Sequence, residues 1–333
     1  MRSFPRRDAL AHLAAWMTTP FVASLGCSRR SSREGTPSRT VSSPLARFED
    51  TTPTASAPAP DLLAGFRVDT WKLEAPGFGT VHAAVLSPVA SGDASQDRLP
   101  LLVALHGRGE SLKSPPEGAL GWVNDYAMPR AITRLRAPPL VPDDYLGFVT
   151  DDELARTNAE LARRPFGGLV VACPYLPDLN PRSEREVSAY ARAIVDDVLP
   201  RVRREAPVIA SSRATGIDGV SHGGITALRV GFLRPDAFGA VGALQPALRE
   251  ADVAGLTELA RAARARNPSL ALRLTTSDDD SFREVTTSLS ERFAKLGVSH
   301  ESTRTPGPHD YAWNRGPGAI TMLRFHDRVL ARA

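Results

Sequence analysis

Gly219-Val220-Ser221-His222-Gly223 sets a serine between two glycines, each two positions away. A short apolar run precedes the segment, and a helix-like stretch, Ile225 to Arg234, follows it. A serine on a sharp strand-to-helix turn has its hydroxyl pushed clear of the sheet. A Cβ two residues away on either side would clash across that turn. The glycine-serine spacing alone is weak; its place between strand and helix gives it weight. Such a hydroxyl becomes a nucleophile only when a base takes its proton, so the chain must also supply a base and an acid to orient it.

In this arrangement the partners follow the serine, acid first and histidine second. His222, His300, His309 and His326 are the histidines from Ser221 onward. His222 is adjacent to the serine and matters by its backbone N–H. His300 reads as a half-exposed residue of the last strand, and His326 as a solvated or capping residue of the C-terminal amphipathic helix. His309 lies in Thr305-Pro306-Gly307-Pro308-His309-Asp310-Tyr311, a loop stiffened by Pro and Gly between that strand and the final helix. Loops on a rigid scaffold are where catalytic side chains are mounted, so His309 is the expected base. The acid should follow the apolar strand Leu270 to Thr275, where Asp278, Asp279 and Asp280 stand together. Three adjacent carboxylates favour a solvated turn for at least two of them. Asp280 is the expected acid, because Phe282 would anchor the loop and leave Asp280 facing inward. Asp278 and Asp279 remain alternatives.

Acyl chemistry also needs donors for a developing oxyanion. The N–H of His222, the residue after the serine, is one. The other should come from the loop after an earlier buried strand. Leu99 to Leu105 is a continuous apolar run, as expected of a strand covered on both faces, and it leads into His106-Gly107-Arg108-Gly109. Gly107 and Arg108 are the candidate donors there, and His106 reads as a loop-shaping residue.

Taken together, Leu105-His106-Gly107-Arg108-Gly109, Gly219-Val220-Ser221-His222-Gly223-Gly224, an Asp after the penultimate strand and Pro306-Gly307-Pro308-His309-Asp310-Tyr311 resemble the α/β-hydrolase superfamily. Within it the chain is most similar to secreted serine esterases of the polyhydroxyalkanoate-depolymerase-like kind, over roughly residues 66–333. The resemblance implies a Ser221 nucleophile, a His309 base, an Asp280 acid and an oxyanion hole from His222 and the backbone around Gly107 and Arg108. It implies no cofactor.

The remaining elements fit a doubly wound, mostly parallel sheet with helices on both faces. Expected parallel strands are Leu99–Leu105, Leu169–Cys173, Ile217–Val220, Ala240–Leu244 and Leu270–Thr275, with Phe66–Leu73 and Val81–Leu86 as an antiparallel edge. Ser183 to Glu205 places Val187, Tyr190, Ala191, Ile194, Val195 and Val198 on one helical face. Ala319 to Ala331 does the same with Met322, Phe325, Val329 and Leu330. Residues 111–164 exceed a plain crossover and read as a helical, lid-like insertion that shapes a substrate pocket. Trp122, Tyr126, Tyr311 and Trp313 are candidates to line that pocket, with core packing as the alternative.

Residues 1–27 have a basic start (Arg2, Arg6, Arg7) and then a lightly apolar stretch, which reads as an export signal. Gly26-Cys27 suggests lipidation of Cys27 after cleavage, giving a membrane-anchored envelope lipoprotein; an ordinary periplasmic or secreted protein is the alternative. Arg6-Arg7 loosely resembles a twin-arginine signal. Residues 28–62, rich in Ser, Thr, Pro and Arg, read as a flexible tether. The whole chain nets +4, whereas residues 1–47 alone net +6, so residues 48–333 net −2. The basic excess therefore belongs to the signal and tether, which argues against a nucleic-acid partner. Cys173 ends an apolar run and reads as an inert core thiol, and no Cys/His cluster has metal-ligand spacing. Gly107-x-Gly109 lacks the third glycine and later acid of a phosphate-cradling loop.

The expected activity is cleavage of carboxylic esters, small or polymeric, by a serine hydrolase. Acyl transfer or peptide cleavage by the same three residues is the nearest alternative, and a non-catalytic surface binding protein is the alternative of another class. Oligomeric state is left open.

Overall fold

The computed structural model describes residues 63–89 and 98–331. The expected export signal, Cys27 and the tether lie outside the described residues. Eight strands form one sheet in the order β1-β2-β4-β3-β5-β6-β7-β8. They are β1 (Phe66–Ala75), β2 (Gly79–Pro88), β3 (Leu101–Leu105), β4 (Val170–Pro174), β5 (Thr215–Gly219), β6 (Ala240–Leu244), β7 (Ala271–Asp279) and β8 (Glu301–Pro308). β2 runs antiparallel to both β1 and β4, and every pairing from β4 to β8 is parallel. The expected sheet, with its antiparallel N-terminal edge, is therefore the one observed.

Side chains alternate along each strand, so the two faces of the sheet are built from different residues of the same run. Along β3, Leu101, Val103 and Leu105 join one apolar core, while Leu102 and Ala104 join the other. The first core is closed by α6 (Glu184–Arg192), α7 (Leu199–Glu205), α8 (His222–Leu233), α9 (Glu250–Arg266) and α10 (Arg283–Lys295), numbered after the five helices below. A turn of π-helix, Ala193–Val198, joins α6 to α7 just before Pro200, whose ring offers no N–H to continue the ladder.

The second face is covered by the long segment after β3 and by the C-terminal helix. That segment holds α1 (Arg108–Ser111), α2 (Pro115–Ala119), α3 (Gly121–Asn124), α4 (Met128–Arg136) and α5 (Asp151–Arg163). A short α11 (Tyr311–Trp313) and α12 (Ala319–Val329) complete the chain. Trp122, Met128, Ile132, Leu135, Tyr145 and Leu161 pack with Met322, Leu323 and Phe325 against the sheet. The insertion is thus a layer of the core as well as an elaboration of the strand-to-strand crossover.

The course of β8 differs from the expectation. Pro306-Gly307-Pro308 is not a loop but the end of the strand, paired with β7 as far as Asp279↔Pro308 across an irregularity between Ser277 and Asp279. An edge strand explains this, since the prolines lack only N–H groups that no ladder partner needs on the outer side. His309 therefore follows a strand directly, and Asp278 and Asp279 belong to β7 rather than to a turn.

His326 is a second correction. It is fully buried, not solvated, and its Nε2 lies 2.9 Å from Asp218 Oδ2. The same oxygen accepts from Arg273 Nη2 at 2.6 Å, and Asp218 Oδ1 accepts from the Gly219 N–H at 2.8 Å. Three buried polar side chains from β5, β7 and α12 thus lock together beneath the turn that carries Ser221. Removing one partner of a buried pair strands the other charge. Asp218→Asn is expected to lower unfolding free energy by about 3–5 kcal/mol, and the melting temperature by about 10 °C. A calorimetric change below about 1 kcal/mol would contradict this reading.

Candidate active site

Ser221 sits between β5 and α8 with φ 56° and ψ −114°, a conformation that a non-glycine residue adopts only when its surroundings force it. The forcing contacts are visible. Its N–H donates to the Leu244 carbonyl at 2.9 Å, and its own carbonyl accepts from the Ala247 N–H at 3.0 Å. A Cβ on Gly219 would stand 2.5 Å from the Gly223 backbone, and one on Gly223 would stand 2.4 Å from the His106 carbonyl. The two glycines are therefore required by close approach of α8 to β5 and to the end of β3.

His309 Nδ1 lies 2.8 Å from Asp280 Oδ1, across 29 positions of sequence. Asp280 is buried, and its carboxylate also accepts from the Thr276 hydroxyl at 2.7 Å and the Phe282 N–H at 3.0 Å. The Phe282 ring stands edge-on to the imidazole at 5.3 Å. Asp278 instead pairs with Arg304, which leaves Asp280 as the carboxylate on the histidine. A carboxylate can only accept, so Nδ1 carries a proton, and in the neutral imidazole the lone pair is on Nε2.

Gln245 was not singled out by the sequence. It is fully buried with φ 42°, and its N–H donates to Thr275 O at 2.7 Å. Its side-chain amide donates to Ser277 Oγ at 2.6 Å and to Pro308 O at 2.9 Å. Gln245 follows Leu244, the acceptor of the Ser221 N–H, so the end of β6 meets both the serine turn and the residue before His309. Only its left-handed backbone, invisible in sequence, would have marked it.

The segment after β3 is clamped at both ends of Gly107. The His106 ring donates from Nδ1 to the Gly107 carbonyl at 2.9 Å, while its Nε2 accepts from the Leu176 N–H at 2.9 Å. The Gly107 N–H donates to Tyr126 Oη at 3.0 Å. This corrects one expectation: the Gly107 amide already has a partner and is not a free oxyanion donor. Arg108 remains one. Its N–H shares a planar trans peptide with the carbonyl that His106 holds, so that N–H points the opposite way. Arg108 and His222 each begin a helix, where the N–H has no intrahelical acceptor. The Arg108 side chain is exposed and pairs in two-pronged fashion with Asp178 at 2.9 Å.

The aromatic residues expected at a pocket divide differently. Trp122 and Trp313 are fully buried and Tyr126 is 2% exposed, so packing, not substrate contact, is their role. Trp313 Nε1 donates to Thr305 Oγ1 at 2.9 Å. Tyr311 alone is part-exposed, with its hydroxyl on Glu110 at 2.7 Å. Two clefts of about 260 and 280 Å3 lie among charged residues of α5 and α12, and one of about 490 Å3 lies beside Asp178 and α6. Neither Ser221 nor His309 lines any of the three. Cys173 is buried and unpaired, with its thiol pKa pushed up by burial.

Burial pushes the pKa of His106 down to about 4, and those of His222 and His326 are also lowered, chiefly by burial. The unfolded chain binds a proton at each near the ordinary value of 6.5, whereas the folded chain binds none on His106 until about 4. Unfolding therefore takes up protons between those values, and stability falls as pH falls through the window. Unfolding free energy from urea titrations is expected to be about 2 kcal/mol lower at pH 5 than at pH 7 from His106 alone. Equal stability at the two pH values would contradict this.

No family model matches the chain, and no curated protein matches it in sequence. Solved structures do. A ferulic acid esterase superposes with a TM-score of 0.59 at 17% identity, covering 80% of this chain and 99% of that one. The S-formylglutathione hydrolase of Staphylococcus aureus gives 0.55 at 14% identity, over 79% and 99%. The enterobactin esterase of Shigella flexneri gives 0.51 at 15% identity, over 78% of this chain and 58% of that one. The order and sense of the strands, together with these superpositions, show that residues 63–89 and 98–331 of this chain adopt the mostly parallel, eight-stranded α/β fold that these solved structures share.

Proposed function

We propose that the chain is a serine hydrolase that cleaves carboxylic esters through an acyl-enzyme. The observation that carries the reading is the hydrogen bond from His309 to buried Asp280, which leaves Nε2 in the form a general base needs. Ser221, held at the end of β5 in a strained turn, is the nucleophile that this base serves. Its oxygen adds to the ester carbonyl while its proton passes to His309 Nε2. The charge gathering on the carbonyl oxygen is met by the N–H groups of Arg108 and His222. Collapse of the adduct expels the alcohol, which takes the proton from His309. Water then enters by the same route and releases the acid. The neighbours in fold carry the names of esterases and hydrolases, which agrees with this chemistry.

A fluorophosphonate probe tests the reading. It should modify the folded chain at one residue, and peptide mapping should place the phosphonyl group on Ser221. Labelling at another residue, or none on folded protein, would reject it. A panel of acetyl, butyryl and feruloyl esters, with and without an added alcohol acceptor, then separates hydrolysis from acyl transfer.

A further inference from the structure

Glu110 is a carboxylate with no exposed surface, set between the oxyanion segment and the residues that follow His309. One oxygen accepts from the Tyr126 hydroxyl, whose own oxygen accepts the Gly107 N–H. The other accepts from the Tyr311 hydroxyl at 2.7 Å, and Tyr311 stands two residues after His309. We infer that Glu110 is a positioning residue: through two tyrosine hydroxyls it fixes the oxyanion peptide and joins that peptide to the segment bearing the base. The inference rests on the reading of Arg108 as an oxyanion donor.

The surroundings are shaped for this cluster. A Cβ on Gly109 would stand 2.6 Å from the Tyr311 hydroxyl, one on Gly121 2.6 Å from Glu110 Cγ, and one on Gly107 3.0 Å from the Tyr126 hydroxyl. Three glycines thus leave the room that the carboxylate and its tyrosines occupy. Burying a carboxylate is unfavourable by several kcal/mol before its hydrogen bonds compensate, so an apolar side chain would serve packing alone more cheaply. Burial duly raises the carboxyl pKa, Asp125 adds to the rise, and Tyr126, Tyr311 and Lys113 oppose it. Only an acceptor on both oxygens lets each tyrosine donate inward, and only then is the Tyr126 lone pair turned to Gly107.

The mechanical consequence is specific. Gly107 is held by Tyr126 at its N–H and by His106 at its carbonyl, so the plane of the next peptide, which carries the Arg108 N–H, is fixed before substrate arrives. A donor fixed in advance stabilises the transition state more than the bound ester. Losing such a donor lowers rates about 10²–10³-fold, so loosening one should lower them about 10–100-fold.

The test uses the full chain with Glu110→Gln, Tyr126→Phe and Tyr311→Phe, measured on p-nitrophenyl acetate and against a phenylboronic acid. Boron accepts the Ser221 oxygen as the serine proton passes to His309, and one hydroxyl of the tetrahedral boronate stands where the oxyanion forms. In Glu110→Gln and Tyr126→Phe, kcat should fall about 10–100-fold with KM within about threefold, and the boronate Ki should rise in step. The double variant Glu110→Gln/Tyr126→Phe should be no worse than the more impaired single variant, because both break one chain. Should either core variant fail to fold, Tyr311→Phe decides: its kcat should fall about three- to tenfold with KM held. Unchanged kcat and boronate Ki in the folded variants would overturn the proposal, as would a kcat loss matched by an equal rise in KM. An active Ser221→Ala would instead overturn the proposed chemistry itself, which keeps the two failures apart.

Discussion

Ser221→Ala is expected to lower kcat on simple esters by at least about 10⁴-fold and to abolish fluorophosphonate labelling. On the proposed reading the acyl-enzyme forms on Ser221, so the rate that remains should be what binding and the two proposed backbone donors supply. Ser221→Gly should be equally inactive yet more stable. A non-glycine residue at φ 56° carries about 1–3 kcal/mol of strain, and glycine has no Cβ to strain. Melting curves should therefore place Ser221→Gly above the parent by a few degrees. Full ester turnover in either variant would remove Ser221 as nucleophile; a Ser221→Gly less stable than the parent would remove the strain argument.

Asp280→Asn is expected to lower kcat about 10³–10⁴-fold, with the fold retained. An asparagine presents either a donor to Nδ1, which forces the proton onto Nε2, or a neutral acceptor too weak to stabilise the imidazolium. Both leave Ser221 without an effective base. Asp278→Asn is the matched control. Its carboxylate is substantially exposed and paired with Arg304, so kcat should stay within about threefold of the parent. A larger loss in Asp278→Asn than in Asp280→Asn would reassign the acid. The comparison matters because the three adjacent aspartates could not be separated by composition or spacing.

Much of the fold could be read from the chain because strand and helix leave periodic marks. β6 spans Ala240–Leu244 as expected, and the final helix begins at Ala319 as expected. β5 was expected to begin at Ile217 and begins at Thr215, because its first residues, Thr215 and Gly216, are polar or bare and show no apolar run. Pro306-Gly307-Pro308 signals a turn by local rule, which would end β8 early. Its place at the sheet edge overrides that rule. The aromatic residues failed in the opposite sense. Trp122 and Tyr126 were expected at a pocket because they lie in the insertion, and Trp313 because it follows His309, yet the insertion folds down onto the sheet and carries Trp122 and Tyr126 into its core.

The chain by itself determined the alternation of strands and helices, the glycines that let α8 approach β3, and the sequential order of Ser221, the aspartates and His309. These follow from steric and apolar patterns that act over a few residues. Tertiary structure alone decided which aspartate meets His309, that Gly107 gives its N–H to Tyr126, that His326 is buried on Asp218, and that Glu110 bridges two tyrosines from distant segments. Each is a choice among hydrogen-bond partners that strand register and sheet order bring together. A polar residue carries no local sign of whether water or a buried partner will satisfy it.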